Sequence, residues 1–153
     1  MASISNKAQA MPASAIRKLV PLADAAKKQG VKVYHLNLGQ PDIKSPKCAL
    51  DAVKNYGGEN VSYSHSAGLM ELRKGLVEKY YKKIGIDITV DELIVTVAGS
   101  ESVNLALEIT CNPGDEVIVL EPFYTNYNTF AFMNGLTLKA IPTDIRNGFQ
   151  IPP

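Results

Sequence analysis

In Val95-Thr96-Val97-Ala98-Gly99-Ser100-Glu101, β-branched residues, a glycine and a serine follow one another in the order of a strand that enters a tight turn and then a helix. At such a turn the unbonded N–H groups of the first helical turn sit at the positive end of the helix dipole and favour an anion. Ser100 adds a hydroxyl donor, and the missing side chain at Gly99 lets a ligand approach the backbone. The three-glycine spacing of a dinucleotide fingerprint is absent, and no Gly-Lys-Ser/Thr follows as in a nucleotide P-loop, so a single phosphate is the anion that suits this turn. The same residues also describe an ordinary strand-to-helix turn with Ser100 as its N-cap.

A second stretch, Glu121-Pro122-Phe123-Tyr124-Thr125-Asn126-Tyr127, follows directly on the apolar run Val117 to Leu120. Ligands of parallel sheets gather at the carboxyl ends of the strands, where a flat aromatic can stack on a ring. Phe123, Tyr124 and Tyr127 equally suit packing at a helix start. In a third stretch, Asn37-Leu38-Gly39-Gln40-Pro41-Asp42, the glycine allows close approach of backbone to ligand, and plain turn chemistry explains it as well. His65 lies beside Tyr63 in an aperiodic stretch and is a weak candidate for lining a site, whereas His35 falls in mid-strand and reads as structural. Cys48 and Cys111 form no C-x-x-C pair and have no nearby histidine, so neither zinc nor a disulfide is indicated and both read as small buried apolar residues.

The elements that carry these stretches follow from periodicity. Residues 1 to 13 have no period and form an arm. Ile16, Leu19, Val20 and Ala23 fall at helical spacing that ends at Gly30, and Pro21 either kinks this helix or begins a second one reaching Gln29. Val31 to Leu38 alternates and reads as a strand stopped at Gly39. Ser45-Pro46 has the form of a helix start, continued by Ala49, Leu50 and Val53 to Gly57-Gly58, and residues 59 to 67 are loop. After Gly68, a helix face of Leu69, Leu72, Leu76 and Tyr80 runs to Gly85, with Glu78 and Lys82 at i, i+4 on its outer side. Leu93 to Val97 and Val117 to Leu120 are short apolar runs of the kind buried on both faces of a parallel sheet. Helices over Ser100 to Cys111 and Phe123 to Met133 and a third strand over Leu136 to Ile141 complete a β-α-β-α-β order, hence an α/β layered sheet with right-handed crossovers.

The whole chain has 153 residues, room for one ordinary domain, and its 46% hydrophobic and 20% charged residues exclude a disordered tail, a collagen or a coiled coil. Sixteen Lys and Arg against 15 Asp and Glu leave a net charge of +1 without a basic stripe, which argues against nucleic acid or anionic lipid as partners. No apolar run has the length of a membrane span, and the N-terminal residues are too polar for a signal-peptide core, so a cytoplasmic protein is expected.

Four of these segments in this order resemble the fold type I pyridoxal-phosphate enzymes, specifically the class I aminotransferases typified by aspartate aminotransferase. The resemblance runs from about Ala10 to Pro153 through N-L-G-Q-P-D, Y-S-H-S-A-G-L-M-E-L-R from Tyr63, V-T-V-A-G-S-E-S and N-P-G-D-E-V-I-V-L-E-P-F-Y-T-N-Y. It implies pyridoxal 5'-phosphate as cofactor, held by the turn of Gly99, Ser100 and Glu101, with Tyr124 stacked on the pyridine ring. Tyr63 matches the tyrosine that reaches across a homodimer interface to the phosphate of the neighbouring subunit, and Gly39 the glycine whose backbone lies against the substrate. Ser102 stands where Ala or Gly is usual, and Glu101 where Gln or Gly is frequent.

Family members are more than twice as long, so the resemblance places the Schiff-base lysine, the ring aspartate and asparagine, and the phosphate and carboxylate arginines beyond Pro153. The 153-residue chain by itself is then expected to be inactive and only marginally stable, because strands that flank Leu93 to Val97 in the family's sheet come later in the sequence. The implied organisation is an arm and the first segment of a small domain over residues 1–45, and the first part of the large cofactor-binding domain, a parallel-type sheet with flanking helices, over 46–153. The implied activity is transfer of an amino group between an L-amino acid, aspartate favoured, and a 2-oxo acid. Transfer from another amino acid, a lyase or synthase on the same scaffold, or a non-catalytic remnant or interaction module are the alternatives.

Overall fold

The computed structural model describes residues 3–151. Among them the order of elements is α1 (Asn6–Ala10), α2 (Val20–Lys28), α3 (Lys47–Lys54), α4 (Met70–Leu76), α5 (Gly99–Thr110), β1 (Glu116–Glu121), α6 (Asn126–Met133) and β2 (Thr137–Pro142). The chain divides into two compact units, residues up to Gln40 together with those from Val103, and Pro41–Ser102.

In the first unit β1 and β2 pair in parallel, from Glu116 opposite Thr137 to Glu121 opposite Pro142. Parallel neighbours need a crossover, and α6 supplies it. The turn residues hold the two strand starts together: Gly114 N–H donates to the Gly135 carbonyl at 2.8 Å and Thr137 N–H to the Asp115 carbonyl at 2.9 Å. Phe130 and Ala131 of α6 and Leu136 before β2 are the buried apolar residues of the described chain. Asn134, just after α6, donates from Nδ2 to Asn104 Oδ1 of α5 at 2.9 Å. Pro21 lies in the first turn of α2, preceded by a 3-10 turn over Arg17–Leu19, so the proline opens a helix rather than kinking one.

Four expectations for this unit are corrected. Val31 to Leu38 joins no ladder among the described residues, and Tyr34 and Leu36 are exposed, because alternation makes a strand possible but only a hydrogen-bonding partner makes it one. The run Val117 to Leu120 is a strand but is not covered on both faces, since Ile118 keeps 70% of its surface in solvent. The N-terminal arm, read as aperiodic, contains the short helix α1, capped by Ser5, whose hydroxyl accepts from Ala8 N–H at 3.1 Å. α6 begins at Asn126 rather than Phe123, with Thr125 at its N-cap position.

In the second unit α4 continues through a π-helical turn, Val77–Tyr81, and a 3-10 turn, Lys82–Ile84, to Gly85 at φ 75°. The glycine stop is as the sequence indicates. Glu78 and Lys82 form no ion pair among the described residues. α3 begins at Lys47, with Pro46 rather than Ser45 in the cap position.

Leu93 to Val97, expected as a buried strand, is a correction: it joins no ladder among the described residues, and Ile94 and Val97 are exposed. It is held instead by isolated anchors. Val95 N–H donates to the Ala67 carbonyl at 3.0 Å. Gly68, at φ +94°, sits so close that an added Cβ would lie 2.6 Å from the Val95 Cβ, so both the backbone and the contact require glycine. Just upstream, Thr89 and Glu92 form a capping box around the 3-10 turn Val90–Glu92. Backbone and hydroxyl hydrogen bonds from Thr89 hold the Glu92 carboxyl below its ordinary value. The cysteines are also corrected: Cys48 is exposed and Cys111, in the first unit, only half-buried, because neither lies in the core around Phe130, Ala131 and Leu136.

Candidate functional site

The turn at the start of α5 pairs some of its polar groups and, among the described residues, leaves the N–H groups of Ala98, Gly99 and Ser100 without an acceptor. Glu101 N–H and Ser102 N–H donate to the Ala98 carbonyl at 3.0 and 3.3 Å. Ala98 thus occupies the N-cap position and Ser100 the second helical position, which corrects the reading of Ser100 as N-cap. The Glu101 carboxylate folds back and accepts from Val97 N–H at 2.6 Å. The Thr96 hydroxyl donates to the Ala98 carbonyl at 3.1 Å, which uses its one proton, so across the 2.6 Å contact between Thr96 Oγ1 and Ser102 Oγ the serine is the donor. Among the described residues, the N–H groups of Gly99 and Ser100 donate to nothing.

The turn around them is open to solvent. A Cβ added at Gly99 would meet no atom within 4 Å, and Gly99 and Ser100 are exposed. Two unspent donors at the head of a twelve-residue helix, with room in front and a hydroxyl beside them, fit a phosphate group. Signals for Thr96 and Ser102 as braces were present in the sequence as hydroxyl residues on either side of the glycine turn, and only the fold showed them in contact.

Tyr124, in the first unit, follows the carboxyl end of β1. Its ring is packed edge-on against Tyr127 at 5.8 Å, and Tyr127 stacks on Phe123 at 6.3 Å, so the packing role and an open ring face coexist. Tyr124 keeps 49% of its surface in solvent. Asn126, which sequence reading passed over, donates from Nδ2 to the Tyr124 phenol oxygen at 2.7 Å and fixes the ring's far end. At the strand ends the Thr143 hydroxyl donates to the Glu121 carbonyl. Gly39, also in the first unit, is exposed, and an added Cβ there meets nothing within 4 Å.

Tyr63, in the second unit, is fully exposed and forms no hydrogen bond among the described residues. Two residues on, His65 Nδ1 accepts from Ala67 N–H at 3.1 Å and so stabilises its own loop. Gly99, Ser100 and Glu101 are brought onto one helical turn; Tyr124 and Gly39 belong to the other unit. Sequence reading also missed Arg73, 4% exposed, whose Nη1 donates to the Val90 carbonyl at 2.7 Å and ties α4 to the turn that precedes Leu93 to Val97. Its signal was an arginine set among Leu69, Leu72 and Leu76 on a helical face. Among the described residues no three His, Cys, Asp or Glu side chains cluster as metal ligands would, and no helix is long and apolar enough to cross a membrane.

Comparison with known proteins adds an independent line. Residues 31–152 match the family described as aminotransferase class I and II. Aspartate/prephenate aminotransferase of Thermus thermophilus is 32% identical over 154 aligned residues, covering 100% of this chain and 40% of that protein. The crystal structure of an aspartate aminotransferase from Thermotoga maritima superposes with a TM-score of 0.85 at 29% identity, covering 97% of this chain and 40% of that one. An alanine aminotransferase from Pyrococcus furiosus gives 0.84 at 32% identity, covering 98% and 39%. The chain thus spans about 40% of the length of these relatives.

Proposed function

This chain belongs to the class I and II aminotransferase family, with the fold of the N-terminal portion of a class I enzyme, and we propose that it serves amino-group transfer between an L-amino acid and a 2-oxo acid. Aspartate is the favoured donor, in keeping with the names of several relatives, and 2-oxoglutarate the favoured acceptor. Pyridoxal 5'-phosphate, when bound, supplies an electron sink for the bonds at the substrate's α-carbon. In this reading residues 1–45 are the arm and the first segment of the small domain, and 46–153 the first part of the large one.

The roles of this chain's residues are binding and orientation. Gly99 and Ser100 hold the phosphate through their N–H groups and the Ser100 hydroxyl, on the turn that includes Glu101. Tyr124 lies against the ring with its phenol fixed by Asn126, Gly39 presents backbone to the substrate, and Tyr63 reaches the phosphate of the neighbouring subunit in a homodimer. The cytoplasm is the proposed compartment. A hydroxyl bonded to a phosphate contributes about 1.5–3 kcal/mol, so loss of the Tyr63 phenol corresponds to roughly tenfold or more in cofactor affinity.

The observation that carries the reading is the pair of unspent N–H groups at Gly99 and Ser100 on an exposed turn with room at Gly99. Its test is Gly99→Val in the protein as its gene encodes it, with pyridoxal phosphate titrated by absorbance and aspartate-to-2-oxoglutarate transfer assayed alongside. A β-branched side chain fills the approach to the backbone, so cofactor affinity should fall at least tenfold while the helix persists by circular dichroism. Unchanged affinity would move the phosphate elsewhere.

A further inference from the structure

We infer that Glu101 is a positioning residue: it touches no ligand and instead braces the phosphate turn from behind through the Val97 N–H. The inference rests on the phosphate reading of Gly99 and Ser100 and asks what keeps their N–H groups aimed. The residues from Leu93 to Val97 join no ladder among the described residues, and there the Val97 N–H finds its acceptor in a side chain instead. The Glu101 carboxylate takes the Val97 N–H at 2.6 Å, two residues before Gly99, and closes a side-chain loop around Ala98. On the same turn Ser102 donates to Thr96 and Thr96 to the Ala98 carbonyl.

Together these bonds tie down residues on both sides of Gly99-Ser100 and, among the described residues, leave the Ala98, Gly99 and Ser100 N–H groups unspent. A carboxylate at the third helical position commonly reaches back to the N-cap N–H, and here it takes the N–H one residue earlier, at Val97. Here it has a second consequence. By pointing at Val97 it occupies its charge with a backbone donor on the entering segment, whereas an acidic side chain free to swing toward the open side would oppose an anion. The acceptor matters, then, and the charge does not.

That separation makes the inference testable with two variants of one residue. Glu101→Gln keeps an oxygen for the Val97 N–H and removes the charge, whereas Glu101→Leu removes both. In the protein as its gene encodes it, pyridoxal phosphate should bind Glu101→Gln as tightly as the parent or tighter. It should bind Glu101→Leu about fivefold or more weakly, the loss expected for a missing cap. Two further readouts separate aim from mere stability. The Val97 amide should be protected from hydrogen exchange in the parent and in Glu101→Gln and exposed in Glu101→Leu. The phosphorus-31 resonance of bound pyridoxal phosphate should move only in Glu101→Leu, because a purely structural loss lowers the loaded fraction without changing the environment of what stays bound. Parental affinity and resonance in Glu101→Leu, or a Glu101→Gln as weak as Glu101→Leu, would overturn the brace. If Gly99→Val leaves pyridoxal phosphate binding intact, the phosphate reading falls. If Gly99→Val abolishes binding while Glu101→Leu does not weaken it, the Glu101 inference falls alone.

Discussion

Val117 to Leu120 and Leu93 to Val97 are nearly the same in composition and opposite in outcome. The first becomes the body of β1 and finds β2 in register through a crossover that contains α6. The second stays extended, with Leu93 at φ −119° and ψ 124°, yet pairs with no strand among the described residues. β-branched, apolar residues favour an extended backbone in both places. A ladder is a property of two segments, and the partner decides it. The paired region rests on burial around Phe130, whereas the unpaired one rests on a few specific anchors at Gly68, Arg73 and the Thr89–Glu92 box.

The largest effect should come from the paired region. Phe130→Ala removes the biggest side chain of the described core and should cost about 3–4 kcal/mol, read as lost amide protection across β1 and β2. If protection in the strands survives, α6 is not what holds the pair.

Gly68→Ala attacks the unpaired region. The added methyl meets Val95 Cβ at 2.6 Å and must adopt a positive φ, so a loss of about 2–3 kcal/mol is expected, confined to Pro41–Ser102 by exchange. A loss under about 0.5 kcal/mol would show that Val95 is not seated against this loop.

Arg73→Met should cost less, about 1 kcal/mol. It forfeits the bond to the Val90 carbonyl but also removes a buried cation whose Nε has no partner among the described residues. Denaturant midpoints settle the sign, and a more stable variant would mean that desolvation of the guanidinium outweighs its bond.

The smallest effect is a pH dependence at Glu92. Its carboxyl is held below the ordinary 4.5 chiefly by the Thr89 N–H, so the folded state favours the charged form. The contribution is therefore complete above pH 4.5 and lost as pH falls through the lower folded-state value. Glu92→Gln should flatten that part of the stability curve and leave neutral pH little changed. An acid limb identical to the parent's would assign it to other groups, with Asp144, also lowered by its Arg146 partner, next in line.

Much of this molecule was legible in local chemistry. Proline in the first turn of α2, glycine after α4, and the glycine-serine start of α5 each reflect a backbone rule that acts within a few residues. The residues of the candidate turn were equally visible, because a free N–H at a helix start depends on nothing distant. The braces were less so: Thr96, Glu101 and Ser102 lie close in sequence, but their hydrogen bonds depend on how the chain bends at Ala98.

What the amino-acid sequence determined by itself is therefore a set of short-range choices: where a proline opens a helix, where a glycine stops one, and which glycine turn begins α5. Only the tertiary structure decided which extended run pairs among the described residues, that Val31 to Leu38 joins no ladder among them, that Arg73 is buried against the Val90 carbonyl, and that Gly68 must be glycine because Val95 lies over it. The reason is one of range. Propensity and capping act over a single turn of chain, whereas pairing, burial and close packing need groups that sequence separation hides from each other.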